Sequence, residues 1–221
     1  MMYETKKHFG FTLAETLITL GIIGIVAALT IPVLMTKNKA KRLRSQYLKT
    51  YSTIAQSIRL MKNDDVSLDP KTYSSGNSFF KTYVKYFKGA HLCTPIACYK
   101  RDDTIYKTLD GKYIPPYHRF DDGQFLLMDN TLIMLENPYG SSDAPLWIHA
   151  DINGKNNPPN RLGIDVFTFV MTSDEELVPM GSAGTIYTNA EQYCNPKKSN
   201  TLNGFACSKK AMEDSNYFEK I

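Results

Sequence analysis

No catalytic constellation is written in this sequence. It holds no Gly-x-Ser-x-Gly elbow, no phosphate-binding loop and no His-Glu-x-x-His helix. The histidines His8, His91, His118 and His149 are scattered along the chain. Hydrolase, nucleotide-driven and zinc-protease chemistry therefore lack their usual carriers, and the chain is expected not to be an enzyme. Charge of one sign is also scarce. A formal net charge of +4 is too small and too dispersed for a dedicated nucleic-acid binder. There is no internal repeat and no low-complexity tract. Cysteine is sparse, with Cys93, Cys98, Cys194 and Cys207 the full set.

What is present is apolar sequence, unevenly spread. A hydrophobic share of 43% is enough for a packed core and excludes a disordered chain. From Phe11 to Met35 the single ionisable side chain is Glu15. As a helix rising ~1.5 Å per residue, this run reaches ~37 Å, enough to cross a ~30 Å hydrocarbon layer. All four cysteines follow it. An even number beyond a membrane segment fits disulfides in an oxidising compartment. The spacings suggest Cys93–Cys98 and Cys194–Cys207, although three pairings are open. Reduced thiols are the plain alternative, and a zinc site would need tighter pairs or added histidines.

The N-terminus carries the most specific signal. Residues 1–10 are polar and include Lys6 and Lys7, but the apolar run does not end in the small-residue cleavage site of a secretory signal. It runs into Pro32 and a basic stretch instead. The string Lys7-His8-Phe9-Gly10-Phe11-Thr12-Leu13-Ala14-Glu15-Thr16-Leu17 resembles the cleavage and methylation motif of type IV prepilins, the family of type IV pilins and pseudopilins. In that family the leader ends in Gly, the mature chain opens on Phe or Met, and a Glu stands fifth. Gly10, Phe11 and Glu15 take those places. Gly24 and Pro32 fall where pilin helices carry Gly and Pro, while Ala14 departs from the usual Ile or Val. The resemblance covers residues 6–34.

The resemblance implies a series of expectations. A membrane prepilin peptidase, which also methylates the new amine, would cut after Gly10 on the cytoplasmic side. Glu15, a lone carboxylate in an apolar span and costly there without a partner, would pair with the terminal amine of a neighbouring subunit as a filament grows. The partners would be the peptidase/methyltransferase, other pilin subunits and an inner-membrane assembly platform. Nucleic acid would enter only indirectly, through a DNA-uptake pilus. The protein would start as a single-pass bacterial membrane protein with its C-terminal domain extracytoplasmic, then join a pilus or periplasmic filament. The plain reading of Glu15 alone is a carboxylate that snorkels to the interface.

Two features pull on this picture. Lys37, Lys39, Lys41, Arg42 and Arg44 follow the span, outnumbering Lys6 and Lys7 before it. The positive-inside rule would place the C-terminal bulk in the cytoplasm, against the motif and the cysteines. Pro32 lacks an N–H and is expected to kink or locally melt the helix, with Gly21 and Gly24 adding freedom to bend.

Beyond Lys37 the pattern turns one-faced. Leu43, Tyr47, Tyr51, Ile54, Ile58 and Met61 recur at steps of three and four until Asn63-Asp64-Asp65. The expected organisation is a leader over 1–10, a membrane and assembly helix over 11–35, an amphipathic continuation over 36–62, and a globular head over 63–221. In the head, 66–76 reads as a loop and Phe79–Phe87 as a short helix whose Phe79, Tyr83 and Phe87 face a core. Strand signals start near Ile105: Gln124–Met128 and Thr131–Glu136 around a two-residue Asp129-Asn130 turn, then Leu146–Ala150 and Val166–Met171. Turns are expected at Asp121-Asp122-Gly123 and at Asn137-Pro138-Tyr139-Gly140. Short connections favour an antiparallel sheet, so the fold class is α+β with the long helix packed on the sheet, which is also the pilin architecture.

The segment from Asp151 to Asp165 is dense in oxygen donors. Asp151, Asn153 and Asp165 are candidate calcium ligands, but the spacing does not match an EF-hand loop. The plain reading is a connector of tight turns, and no cofactor is otherwise expected. Tyr193–Ile221 resembles the disulfide-bounded terminal loop of pilins and is expected to be exposed and available for contacts. The function implied is a structural subunit, a minor pilin or pseudopilin, of a type IV pilus, type II secretion or DNA-uptake filament. The alternative is a binding or enzymatic domain held by an uncleaved anchor.

Overall fold

A computed structural model describes residue 10 and residues 12–73, 76–93, 98–137 and 145–221. Residues 1–9, Phe11 and the expected turn residues Pro138, Tyr139 and Gly140 lie outside the described residues. Contact clustering divides the chain into two units, Met1–Ala40 and Lys41–Ile221.

The first unit is the leading part of helix α1 (Leu13–Asn63). Its leucines and isoleucines are exposed: Leu13 is 79% exposed and Leu29 70%. The helix runs on through Pro32 without interruption, so the expected local melting does not occur. Hydroxyls turn back onto the carbonyls of this segment, Thr30 Oγ1 to Val26 O at 2.9 Å and Thr36 Oγ1 to Pro32 O at 3.0 Å.

In the second unit the later turns of α1 bury Leu43, Tyr47, Ile54, Ile58 and Met61, as the periodicity predicts. The helix stops in a Schellman motif, with Val66 N–H on Met61 O, Asp65 N–H on Lys62 O and Asp65 at φ 53°. Helix α2 (Gly76–Tyr83) and a 3-10 turn (Val84–Tyr86) follow. Phe79 stacks on Tyr83 at 5.5 Å, Tyr83 meets Phe87 at 4.9 Å, and all three are buried. The aromatic stripe is core.

Among the described residues six strands form one antiparallel meander in chain order: β1 (His91–Leu92), β2 (Gly123–Leu126), β3 (Leu132–Glu136), β4 (Trp147–Asp151), β5 (Val166–Met171) and β6 (Leu177–Pro179). The fold class is α+β, with pilin-like architecture. The β2–β3 connection differs from the expected two-residue turn. Leu127 N–H bonds Thr131 O, enclosing Met128, Asp129 and Asn130, and Asn130 takes φ 66°. A three-residue loop with a left-handed third residue suits strand twist as well as a two-residue one, and Asn tolerates that conformation. Residues 105–122 form loop and a 3-10 turn rather than strand, and the bend at Asp122 leads into β2.

The alternation of side chains splits the core. Phe167 and Phe169 of β5 point to α1, where Tyr47 meets their rings at 4.7 and 5.7 Å and Tyr51 meets Phe169 at 5.5 Å. Leu132, Met134, Trp147, Val166 and Val170 face the other way, onto Tyr99, Tyr106, Phe120, Leu162, Tyr187 and Phe205. Loops thus cover the face that the helix does not, and β4 and β5 are buried at every position.

Candidate processing and assembly site

Helix α1 begins with a reciprocal cap. Thr12 donates its backbone N–H and its Oγ1 hydroxyl to Glu15 Oε2, both at 2.8 Å, and Glu15 N–H reaches back to Thr12 Oγ1 at 3.2 Å. Thr12-Leu13-Ala14-Glu15 is a capping box, in which two otherwise unpaired helix-end donors are satisfied by one carboxylate and one hydroxyl. The S/T-x-x-E spacing is readable in the sequence. Thr12 is therefore a site residue that the helix-start rule finds. In an apolar span this matters, because an unsatisfied amide or carboxylate there costs several kcal/mol.

Gly10 precedes the cap and is exposed, and a Cβ added to it would meet nothing within 4 Å. Gly24 is equally open and Pro32 lies inside the helix. Phe11 is outside the described residues, so the geometry of the Gly10–Phe11 bond is not part of the description. Among the described residues one helix, α1, is long and apolar enough to cross a membrane.

The cysteines pair within each local loop. Cys93 bonds Cys98 with Cα atoms 5.5 Å apart, and Cys194 bonds Cys207 with Cα atoms 4.9 Å apart. The terminal loop is only half exposed, which corrects the expectation of a surface loop throughout. Residues 196–199 face solvent, while 203–208 are buried. Asn203 causes the turn inward. Its Nδ2 donates to Asn195 O at 2.9 Å and Lys198 O at 2.7 Å, and its Oδ1 accepts from Asn195 N–H at 3.2 Å. Helix α3 (Ala190–Tyr193) and helix α4 (Cys207–Glu213) flank this loop. Cys207 is fully buried beside Gly163, where a Cβ would come within 2.7 Å of the Cys207 Sγ.

The segment after β4 brings Asp151, Asn153 and Asp165 together. Asp151 accepts from Tyr106 OH at 2.7 Å and from Gly154 N–H at 2.9 Å. Asp165 accepts from Arg161 N–H at 2.6 Å, Asn160 N–H at 2.9 Å and Asn153 Nδ2 at 3.5 Å. Gly154 sits at φ +83°, with a Cβ position 2.4 Å from Asn130 O; only glycine permits this approach to the β2–β3 turn. Burial, then the charge of Asp165, pushes the Asp151 carboxyl up to about 7. Burial pushes Asp165 up to about 6. The side-chain oxygens of Asn153 and Asn160 are buried without a hydrogen-bond partner. Among the described residues no three His, Cys, Asp or Glu side chains gather as a metal centre.

His149 is a fully buried residue of β4. Its Nδ1 lies 2.9 Å from Thr168 Oγ1, Phe120 lies 4.4 Å away between ring centroids, and burial pushes its pKa down to about 3. A neutral imidazole among rings is a packing element.

The prokaryotic N-terminal methylation motif matches residues 5–31. No curated protein and no solved structure matches the chain. The matched stretch contains Gly10, Thr12 and Glu15 and runs into the exposed apolar turns of α1. With an antiparallel six-stranded sheet and a 51-residue helix among the described residues, the chain has a pilin-like α+β architecture, and its residues 5–31 carry the N-terminal methylation motif of type IV prepilins.

Proposed function

We propose that the protein is a minor pilin or pseudopilin, a structural subunit of a type IV pilus, type II secretion or DNA-uptake filament. The observation that carries this reading is the Thr12–Glu15 capping box at the start of a helix whose early apolar side chains are exposed. In the proposed sequence of events the peptidase cuts after Gly10 and methylates the Phe11 amine, and the assembly platform draws the helix into the filament. Glu15 then exchanges the Thr12 donors for the terminal amine of a neighbouring subunit, and the leucines and isoleucines exchange lipid for other subunits. Glu15 remains satisfied before and after this exchange, so extraction leaves no bare carboxylate in hydrocarbon. Gly24 and Pro32 are the positions where the helix adjusts as it leaves lipid. The domain behind the helix is extracytoplasmic in this reading, where its two disulfides persist.

The test is the intact mass and first residue of the protein purified from its native membranes. A chain that starts at Phe11 with one added methyl group is expected. A chain that starts at Met1 or Met2 points to the alternative, a domain held by an uncleaved anchor. Glu15→Ala should be cleaved but enter filaments at least tenfold less than the parent.

For the Asp151–Asp165 loop, the hydrogen bonds support a braced turn. Calcium is the second reading. It is favoured by the unpartnered oxygens of Asn153 and Asn160 beside two buried carboxylates, a donor set of the hard oxygen type that this ion takes. Asp151, Asn153, Asn160 and Asp165 would hold the ion. Adding 1–2 mM calcium (order of magnitude for an extracellular module) after chelation should raise the melting temperature if an ion binds, and Asp165→Asn should remove that rise.

A further inference from the structure

Helix α1 is lopsided in charge. Across its 51 residues Glu15 is the one acidic residue, while Lys37, Lys39, Lys41, Arg42 and Arg44 crowd into about two turns directly after the apolar run. Like charges at i and i+4, such as Lys37 and Lys41, repel each other, and no acid within the helix offsets them. Arg44 is spent inside the chain, donating to Asp214 O at 3.1 Å and Ala211 O at 3.4 Å. Lys37, Lys39, Lys41 and Arg42 are exposed, and among the described residues none makes an ion pair or side-chain hydrogen bond. We propose that these four cations form a collar for the phosphates of anionic membrane lipids. The collar would hold the helix at its exit from the bilayer until assembly pulls it out.

Position along the helix and distribution around it single out this partner. The apolar run spans one hydrocarbon thickness, so the residues just beyond it stand at headgroup level. At about 100° per residue, Lys37 and Lys41 lie within about 40° of each other, Arg42 about 100° further round and Lys39 about 60° beyond that. The remaining arc carries Leu43 and Tyr47, both buried. The cations thus span about 200° of the circumference, an arc wide enough to meet several headgroups. An acidic protein surface docks against one side only. The collar also accounts for a basic stretch where the positive-inside rule would not put one. Charge that opposes the required topology is retained for what it binds on the far side.

The proposal rests on the membrane-anchored reading above. To test it, the full chain is placed in nanodiscs of phosphatidylcholine with and without phosphatidylglycerol, and the lipids it retains on mild delipidation are weighed by native mass spectrometry. Each cation near a charged surface favours the anionic lipid about fivefold at low salt. Preference for phosphatidylglycerol on the order of a hundredfold is expected for the four after screening, and it should fall as salt is raised. The double variants Lys37/Lys39→Gln and Lys41/Arg42→Gln should each lose about tenfold or more. Lys49→Gln, further along the same helix, should lose nothing comparable. Equal retention of the two lipids by the parent overturns the proposal. So does an unchanged preference in both double variants, or complete displacement by millimolar inorganic phosphate. The first residue of the same sample is read in parallel. A chain cleaved to Phe11 without lipid preference removes the collar alone, and an uncleaved chain that prefers phosphatidylglycerol removes the pilin reading alone.

Discussion

The two halves of α1 use the same residue types to opposite ends. In the early turns Ile23 is 63% exposed and Leu29 70%; in the later turns Ile54 and Met61 are fully buried. Helix propensity does not separate them, since Leu, Ile and Ala form helix in both. The difference is in what surrounds each apolar side chain in sequence. Between Phe11 and Met35 apolar residues occupy all faces, so no single surface of a folded domain could cover them, and the helix is long and apolar enough to cross a membrane. Between Leu43 and Met61 they occupy one face, and a single sheet suffices.

Truncating one side chain in each half gives the sharpest break between them. Tyr47→Ala should cost the head about 3–5 kcal/mol, read by chemical unfolding, because it empties a space between Phe167, Phe169 and Phe218. Ile23→Ala should leave head unfolding within about 0.5 kcal/mol of the parent. An equal loss in both would mean that the early turns are part of the folded core. Next in size, removing Cys194–Cys207 should cost about 3 kcal/mol and removing Cys93–Cys98 about 2 kcal/mol, since the longer loop restricts the unfolded chain more. Paired serine variants compared by melting check the order.

Acid should act on the head alone. His149 titrates near 3 in the fold against an ordinary value of 6.5, so the folded chain resists the proton that the unfolded chain takes up. Its contribution is intact above pH 6.5 and is lost as pH falls through that value towards 3, at about 1.4 kcal/mol per pH unit. Relative to His149→Phe, the parent should lose stability along that slope between pH 6 and 4; parallel curves would contradict the assignment. Asp151 and Asp165, raised by burial, run the other way. Their stabilising protonated form is complete below about pH 4 and is lost as pH rises through 6 and 7. The smallest effect belongs to the capping box. Thr12→Ala should speed amide exchange at the first turn of α1 about fivefold, with no change in the turns from Leu43 onward.

Much of the architecture could be read without coordinates where one physical rule dominates. The capping box, the uncharged run and the one-faced repeat each depend on near neighbours in the chain. The strands β2 to β5 were legible because alternation or unbroken apolar runs bounded by turn residues specify them. Strands β1 and β6 were not, since two and three residues carry no period. Residues 105–122 misled because apolar residues such as Tyr106 and Phe120 serve a loop that packs on the sheet. The terminal loop misled because its polarity is satisfied internally by Asn203 rather than by water.

By itself the sequence determined that an N-terminal methylation motif is present, which helix is apolar on all its faces, and that a sheet would cover the later turns of that helix. These follow from local chemistry: a short motif, an apolar run with one ionisable residue, a period of 3.6. Tertiary structure decided the rest. It set which loops seal the second face of the sheet, that His149 stays neutral, that two carboxylates share one buried turn, and that half of the terminal loop lies in the core. Each of these depends on groups brought together across ten to a hundred residues. Desolvation and hydrogen-bond partners exist only once the chain has closed around them.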